Sequence, residues 1–357
     1  QHSPWWGEYR GVEDHFARLN VALTSGEPRC RVAMIHPIES FWIADGPRRT
    51  WADTQADLED GIARPLRWLL EGLIDVDLIA ESLLPDQHSP TDDASFAVGS
   101  MRYEAVVVPP MLTMRRSTLE RLAAFADAGG MLIWLGAPPA MVDAEASEEA
   151  RELAARTSRC SLQRASLLAL LEPRRDVEVH DTHGKRAEGV LYQLREEADG
   201  SRILFLCRTD RQYDLEEATL RVRGRWQLER CDTSDGSFSP FGERWEGQTT
   251  CAEIDLPVAG HLLLRLRPGE APRAQSPRRT WSEAARLAET VPITLDEPNV
   301  LLLDRGEWRV DGNDWQRADE ILRIDNHARR ACGMPERHGN IAQPWCDPPA
   351  PPSHRVA

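Results

Sequence analysis

Lysine is almost missing from this chain: Lys185 is the only one, and arginine supplies the rest of the basic residues. Positive charge is short overall, with 43 basic against 58 acidic side chains and a formal net charge of −15. Phosphate binding needs a basic face, so no nucleic-acid partner is expected. Long apolar runs are missing too. None approaches the ~18 residues of a membrane span, and the run after Ala105 stops at Pro109-Pro110, so no membrane partner is expected. The seven cysteines (30, 160, 207, 231, 251, 332 and 346) are odd in number, widely spaced and form no C-x-x-C pair. They read as separate thiols, which favours a reducing, cytoplasmic compartment. No signal peptide is visible after Gln1, and the proline-rich stretch from Asp347 should stay extended, so both ends read as cut from something longer.

What is present reads as a globular protein: 357 residues, 41% hydrophobic and 28% charged, enough chain for two or three domains. Ser3 and Pro4 suit a helix start, and Val12, Phe16, Leu19 and Leu23 follow at helical spacing until Ser25-Gly26. An apolar run at 31–36 reads as a buried strand ended by Pro37. After a polar loop, Leu58, Ile62, Leu66, Leu69 and Leu70 mark a helix over 54–72. Strands are expected at 75–80, 103–108 and 131–135, with a helix from Ser117 to Gly129-Gly130 before the last. Near-continuous apolar strands alternating with helices predict a mostly parallel sheet covered on both faces. Two further helices are expected over 145–156 and 161–171.

Beyond Asp176 the period changes. The runs 189–194 and 202–207 flank Asp199-Gly200 and read as a hairpin, followed by short strands at 218–222, 226–230, 252–256 and 261–266. These form a small antiparallel β domain. From Thr280 a further segment holds a strand at 300–304 and a helix or polar turn at 319–330, too short to close its own core.

A resemblance covers most of the chain. Pro4-Trp5-Trp6, Tyr9, the segment 14–20 and the strand 31–37 resemble a junction in large bacterial glycoside hydrolases. There, the last helix of a catalytic (β/α)8 barrel runs into a flavodoxin-like domain. The segments 81–85, 103–109 and 118–122 with Gly129-Gly130 are similar to that accessory domain. Its counterpart in family 42 β-galactosidases is the trimerisation domain, related in fold to class I glutamine amidotransferases. The segments 297–304, 320–326 and 343–345 resemble a later β-sandwich of α-L-rhamnosidase-like hydrolases of the family 2 and family 106 type.

The resemblance implies an α/β fold: a flavodoxin-like (class I glutamine amidotransferase-like) parallel sheet, then a small antiparallel β domain and a partial β-sandwich. It implies a terminal barrel helix at 1–28, the flavodoxin-like domain at 29–175, the β domain at 176–270, the start of the sandwich at 271–346 and a disordered tail at 347–357. The implied role is non-catalytic: an accessory portion of a glycoside hydrolase acting on plant or microbial polysaccharide glycosides, meeting carbohydrate through a barrel and compatible with a homo-oligomer. The alternative is a freestanding carbohydrate-binding or assembly module.

No catalytic pair, metal site or cofactor is assigned. Glycosidases need two carboxyl groups facing one bond, and 58 acidic residues do not single out a pair. Amidotransferase chemistry needs a cysteine on a strand-to-helix elbow, whereas the segments after the third and fourth strands read Pro109-Pro110-Met111-Leu112 and Gly136-Ala137-Pro138-Pro139. His180 with His183, and Cys332, His338 and Cys346, lack zinc spacing and read as loop residues. The best local constellation follows the first strand. In an open α/β sheet, ligands sit beyond the carboxyl ends of strands where strand order reverses. The loops after strands one and three, 36–42 and 109–115, would flank the crevice there; His36 and Glu39 suit sugar hydroxyls and Trp42 an apolar sugar face, with Glu81 after the second strand a further candidate. The same residues suit, and fold position favours, strand-end hydrogen bonding to backbone groups, with Trp42 packed between domains. Of the twelve tryptophans, Trp5, Trp68 and Trp134 lie in apolar patterns and read as core. Trp42, Trp245 and Trp315 lie in polar surroundings and read as sugar platforms. If the first helix belongs to a barrel, the face carrying Val12, Phe16, Leu19 and Leu23 should be partly uncovered.

Overall fold

The computed structural model describes residues 5–46, 48–91, 93–273, 304–310 and 312–337, with isolated positions between 285 and 294. The expected strand at 300–304, all but its last residue, and the tail 347–357 lie outside the described residues, as do Ser3 and Pro4. The chain divides into two compact units, residues 1–278 and 279–357.

A single 3-10 turn at Trp6–Glu8 leads into helix α1, Tyr9–Thr24. A five-stranded parallel sheet follows, built from β1 (Val32–His36), β2 (Asp77–Ala80), β3 (Ala105–Val108), β4 (Met131–Leu135) and β5 (Ser158–Cys160). In space the order is β2-β1-β3-β4-β5. Between β1 and β2 run α2 (Ile38–Ile43) and α3 (Arg48–Glu71); α4 (Arg116–Asp127) and α5 (Glu149–Ala155) precede β4 and β5, and α6 (Arg164–Leu171) follows.

The period of two explains why the three central strands, β1, β3 and β4, look continuously apolar: each feeds two cores. Ala33, Ile35, Val106, Val108, Leu132 and Trp134 pack against Leu119, Leu122 and Phe125 of α4 and Leu153 of α5. Val32, Met34, Val107, Ile133 and Leu135 pack on the other side against Leu69 of α3 and Leu167 and Leu171 of α6.

Two expectations need correcting here. The stretch 145–156 is not all helix: Glu145–Ala146 pairs antiparallel with Met141–Val142, and the helix begins only at Glu149. The loop after β1 contains helix α2, which the sequence hides behind Pro37. The fully buried Ser40 hydroxyl accepts the N–H groups of Leu112 (3.0 Å) and Thr113 (3.2 Å), so a tertiary bond to the segment after β3 holds this short helix.

The second half of this unit is a β-sandwich. One sheet runs Glu27–Pro28, β7 (Val190–Glu196), β8 (Arg202–Arg208), β14 (His261–Pro268), β10 (Trp226–Cys231) and β11 (Phe238–Pro240). The other runs β6 (Val177–His180), β9 (Leu215–Arg223), β13 (Thr249–Leu256) and β12 (Arg244–Glu246). Leu204, Leu206, Leu264 and Leu266 meet Val177, Val179, Leu220, Val222 and Ile254 between the sheets. The β7–β8 hairpin pairs Glu196 with Arg202, and its turn uses Gly200 at φ +80°.

Helix α1 docks on the outer face of the six-stranded sheet. Leu19 and Ala22 pack on Ile203, Phe205, Leu263 and Cys231, and the Arg18 guanidinium donates to the carbonyls of Thr233 (3.0 Å) and Ser234 (2.7 Å). Gly26 turns the chain into the sheet edge with φ +61°, where an added Cβ would lie 2.4 Å from the Glu196 carbonyl oxygen. Only the C-terminal half of the helix is covered. Val12 and Phe16 remain 52% and 62% exposed beside exposed Trp6 and Tyr9, and Trp5, expected in the core, is 62% exposed. The apolar stripe of α1 is continuous with Leu19, but Val12 and Phe16 on it stand mostly in solvent.

In the second unit, β15 (Arg305–Trp308) pairs antiparallel with β16 (Gln316–Glu320), which leads into α7, Ile321–Ala331. Trp308 stacks on His327 with ring centres 4.8 Å apart. The six described cysteines are free thiols. No described helix is long and apolar enough to cross a membrane.

Candidate functional site

Because β1 lies between β2 and β3, the crossovers leaving β1 and β3 go opposite ways and open a crevice at their carboxyl ends. A cavity of about 700 Å³ occupies it. One wall is α2, with Glu39, Trp42 and Ile43; the other is the segment 113–117 leading into α4, and Asp143-Ala144 close one end.

Each wall is held rigidly. Glu39 and Arg115 form an ion pair at 2.7 Å, with the carboxylate largely buried. The Arg116 guanidinium is held by Glu149 at 2.7 and 3.1 Å, and its backbone N–H donates to Asp143 at 3.0 Å. Asp143 and Ala144 take left-handed backbone conformations, φ +51° and +64°, unusual without glycine. The Ala144 N–H donating to the Thr113 hydroxyl at 2.9 Å and the Asp143 carboxylate together fix that strained corner.

Glu81 sits in the 3-10 turn after β2 and is fully buried; its carboxylate accepts the Arg115 N–H at 2.8 Å. Burial drives its pKa up from 4.5 to about 7 against the opposing pull of that N–H and of the Thr118 hydroxyl, with the Glu39 charge pushing the same way as burial. Folding thus raises this acid's pKa, so between about pH 4.5 and 7 the folded chain keeps a proton that the unfolded chain releases. Stability from this group falls as pH rises through that window. Glu81→Gln is therefore expected to match the parent below the window and to be about 3 kcal/mol more stable above about pH 8. Urea denaturation at the two pH values checks this, and an equal difference at both would refute it. Asp75, raised to about 6 chiefly by burial, titrates in the same sense in both proteins and cancels.

Of the residues singled out in the sequence, Glu39 and Trp42 line this cavity, and Trp42 is 61% exposed. His36 lies half-buried at the end of β1, and Glu81 lies behind Arg115; neither is a lining residue. The segment 109–115, expected to flank the crevice, does so through Thr113, Met114 and Arg115, whereas Arg116, Ser117 and Asp143 were not singled out. Ser117 carried only its helix-start signal, and the others reach the cavity by chain folding alone.

Among the remaining tryptophans, Trp134 is fully buried and Trp68 packs half-buried against the core under α3. Trp315 is exposed. Trp245 is half-buried, its indole N–H donating to the Trp226 carbonyl at 3.0 Å, so it offers no open platform. His180 and Asp181 line another cavity, of about 650 Å³, with Arg221 and Arg244 on the outer face of the four-stranded sheet. Among the described residues, no group of three His, Cys, Asp or Glu is placed to hold a metal ion.

Neither the protein-family models nor the curated proteins match this chain. Solved structures do. A rhamnosidase from Novosphingobium sp. PP1Y is 17% identical with a TM-score of 0.52, over 82% of this chain and 27% of that one. A β-galactosidase from Bacillus circulans sp. alkalophilus (12% identical, TM-score 0.48) is matched over 74% of this chain and 46% of that one. A GH42 β-galactosidase from G. stearothermophilus (14%, 0.48) is matched over 75% and 44%. This chain thus spans about a quarter of the rhamnosidase's length, and what it shares with that glycoside hydrolase is a fold, which in this chain is a mixed α/β arrangement with a five-stranded parallel sheet and antiparallel sheets.

Proposed function

We propose that this chain is the non-catalytic accessory portion of a bacterial glycoside hydrolase, α-L-rhamnosidase-like or β-galactosidase-like, and that it supports a (β/α)8 catalytic barrel or an oligomer. Residues 29–175 are its flavodoxin-like domain, and the strand order β2-β1-β3-β4-β5 supports that reading. The observation that carries the proposal is the half-covered stripe of α1. Leu19 is buried on this chain's own sheet, while Val12 and Phe16 on the same stripe are mostly exposed. An apolar patch of this kind marks a surface that another domain covers. The fold shared with part of a longer rhamnosidase supports the same reading.

Two results are expected. The combined substitution Val12→Asp and Phe16→Asp changes the chain's stability by no more than about 0.5 kcal/mol, because both side chains stand mostly in solvent. A loss comparable to a core substitution would show the face already in use. The purified chain hydrolyses neither nitrophenyl rhamnosides nor nitrophenyl galactosides. Turnover abolished by Glu39→Gln would overturn the non-catalytic role.

A further inference from the structure

The crevice between α2 and the start of α4 has the properties of a ligand site, and its charges select the ligand. Its volume of about 700 Å³ falls within the ~300–1,000 Å³ of small-molecule sites. It sits where open parallel sheets bind ligands, and its walls are fixed by Ser40, Thr113 and Asp143 rather than by mobile side chains. Trp42 stands on the lining with more than half its surface open to solvent, so an apolar ring face would cover costly exposed area.

An anion does not fit. Two guanidinium groups line the cavity against the carboxylates of Glu39, Glu120 and Asp143, and each guanidinium is already bound: Arg115 by Glu39 and Arg116 by Glu149. A phosphate or carboxylate ligand would have to displace one of these and would meet uncompensated acidic groups. A purely apolar ligand does not fit either. It would bury the edges of the Glu39–Arg115 pair without replacing their water, and Glu39 Oε2 is already buried without a hydrogen-bond partner. An uncharged molecule with an apolar face and a rim of hydroxyl groups meets both conditions, since each hydroxyl is able to donate to a carboxylate and accept from a guanidinium.

We propose that this crevice binds an uncharged pyranose ring, packed against Trp42 and hydrogen-bonded at its rim to the Glu39–Arg115 pair. The inference stands apart from the role of α1, because the Val12→Asp/Phe16→Asp chain keeps the site intact whatever covers that helix.

With twelve tryptophans in the chain, fluorescence cannot isolate Trp42, so saturation-transfer NMR on the whole chain is the suitable readout. The probes are rhamnose, galactose and xylose as neutral sugars, with galacturonate and inorganic phosphate as anions. The expected result is transfer to ring protons of at least one neutral sugar, weakened about tenfold or more by Trp42→Ala, the size of one aromatic packing contact. It should be unchanged by Trp315→Ala, an equally exposed tryptophan in the other unit, and by the α1 double substitution. No transfer to any neutral sugar overturns the proposal. So does transfer that survives Trp42→Ala, or a neutral sugar displaced by phosphate or galacturonate.

Discussion

Asp176→Ala is expected to destabilise the protein by about 3–5 kcal/mol, among the largest effects of any single polar substitution in the chain. Asp176 precedes β6 and is almost wholly buried, and it accepts a hydrogen bond from Arg31 Nε at 2.8 Å. Arg31 precedes β1, so this pair joins the first strand of the parallel sheet to the first strand of the sandwich, across 145 residues of sequence. Around it, Arg31 also contacts Glu104, the Arg223 guanidinium lies 3.7 Å from the second Asp176 oxygen, and Arg174 lies 3.8 Å from Glu104. Removing Asp176 leaves Arg31, which keeps only about one sixth of its side chain exposed, facing the half-exposed Glu104 alone. The cost comes from a buried cation left with one solvent-exposed partner as well as from the lost attraction. Replacing both partners with apolar residues, Arg31→Met with Asp176→Leu, should therefore lose much less than the sum of the single changes. Urea denaturation of the three variants tests this. A single-variant loss under about 1 kcal/mol would mean that solvent reaches the pair.

How much of this was legible in the sequence follows from what each feature depends on. The central parallel strands were legible because a strand buried on both faces is an apolar run whatever surrounds it, as at 105–108 and 131–135, whereas the edge strand Ser158–Cys160, three residues with Arg159 exposed, gave no such run and was not expected. Strand β6 was not: Val177-Glu178-Val179-His180 alternates, but over four residues that is too short to separate from loop. The stripe of α1 was read correctly as apolar, yet Trp5 was assigned to the core. Periodicity reports that a face is apolar and not whether this chain covers it. In the crevice, Glu39 and Trp42 were visible because they follow a strand end directly. The loop 109–115 was placed opposite them by strand order, but the Glu39–Arg115 ion pair, 76 residues apart in sequence, was not, and Asp143 is drawn in by a left-handed turn that no glycine announces. The Arg31–Asp176 pair has no sequence signature at all, because charge complementarity at such separation is a property of the packed chain.

Trp134→Ala is expected to cost about 3–5 kcal/mol, by a different mechanism. Trp134 lies in β4, 1% exposed, and its ring fills the core beneath α4 and α5 among Val106, Leu153 and Ala154. Its indole N–H donates to the Thr157 hydroxyl at 2.9 Å, and that hydroxyl donates in turn to the Leu153 carbonyl at 2.9 Å, one turn back at the end of α5. The tryptophan therefore does two things: it fills volume in a core without room to collapse, and it ties the end of α5 to the neighbouring strand. Graded substitutions separate the two. Trp134→Phe keeps an aromatic ring and loses the hydrogen bond along with some volume, leaving the Thr157 hydroxyl without its donor, so it should lose about 1–3 kcal/mol. Thr157→Val removes the acceptor and strands the indole N–H, for about 1–2 kcal/mol. If the hydrogen bond is what links them, the double variant Trp134→Phe/Thr157→Val loses about 0.5–1.5 kcal/mol less than the sum of its parts. Strict additivity would show that Trp134 acts through volume alone.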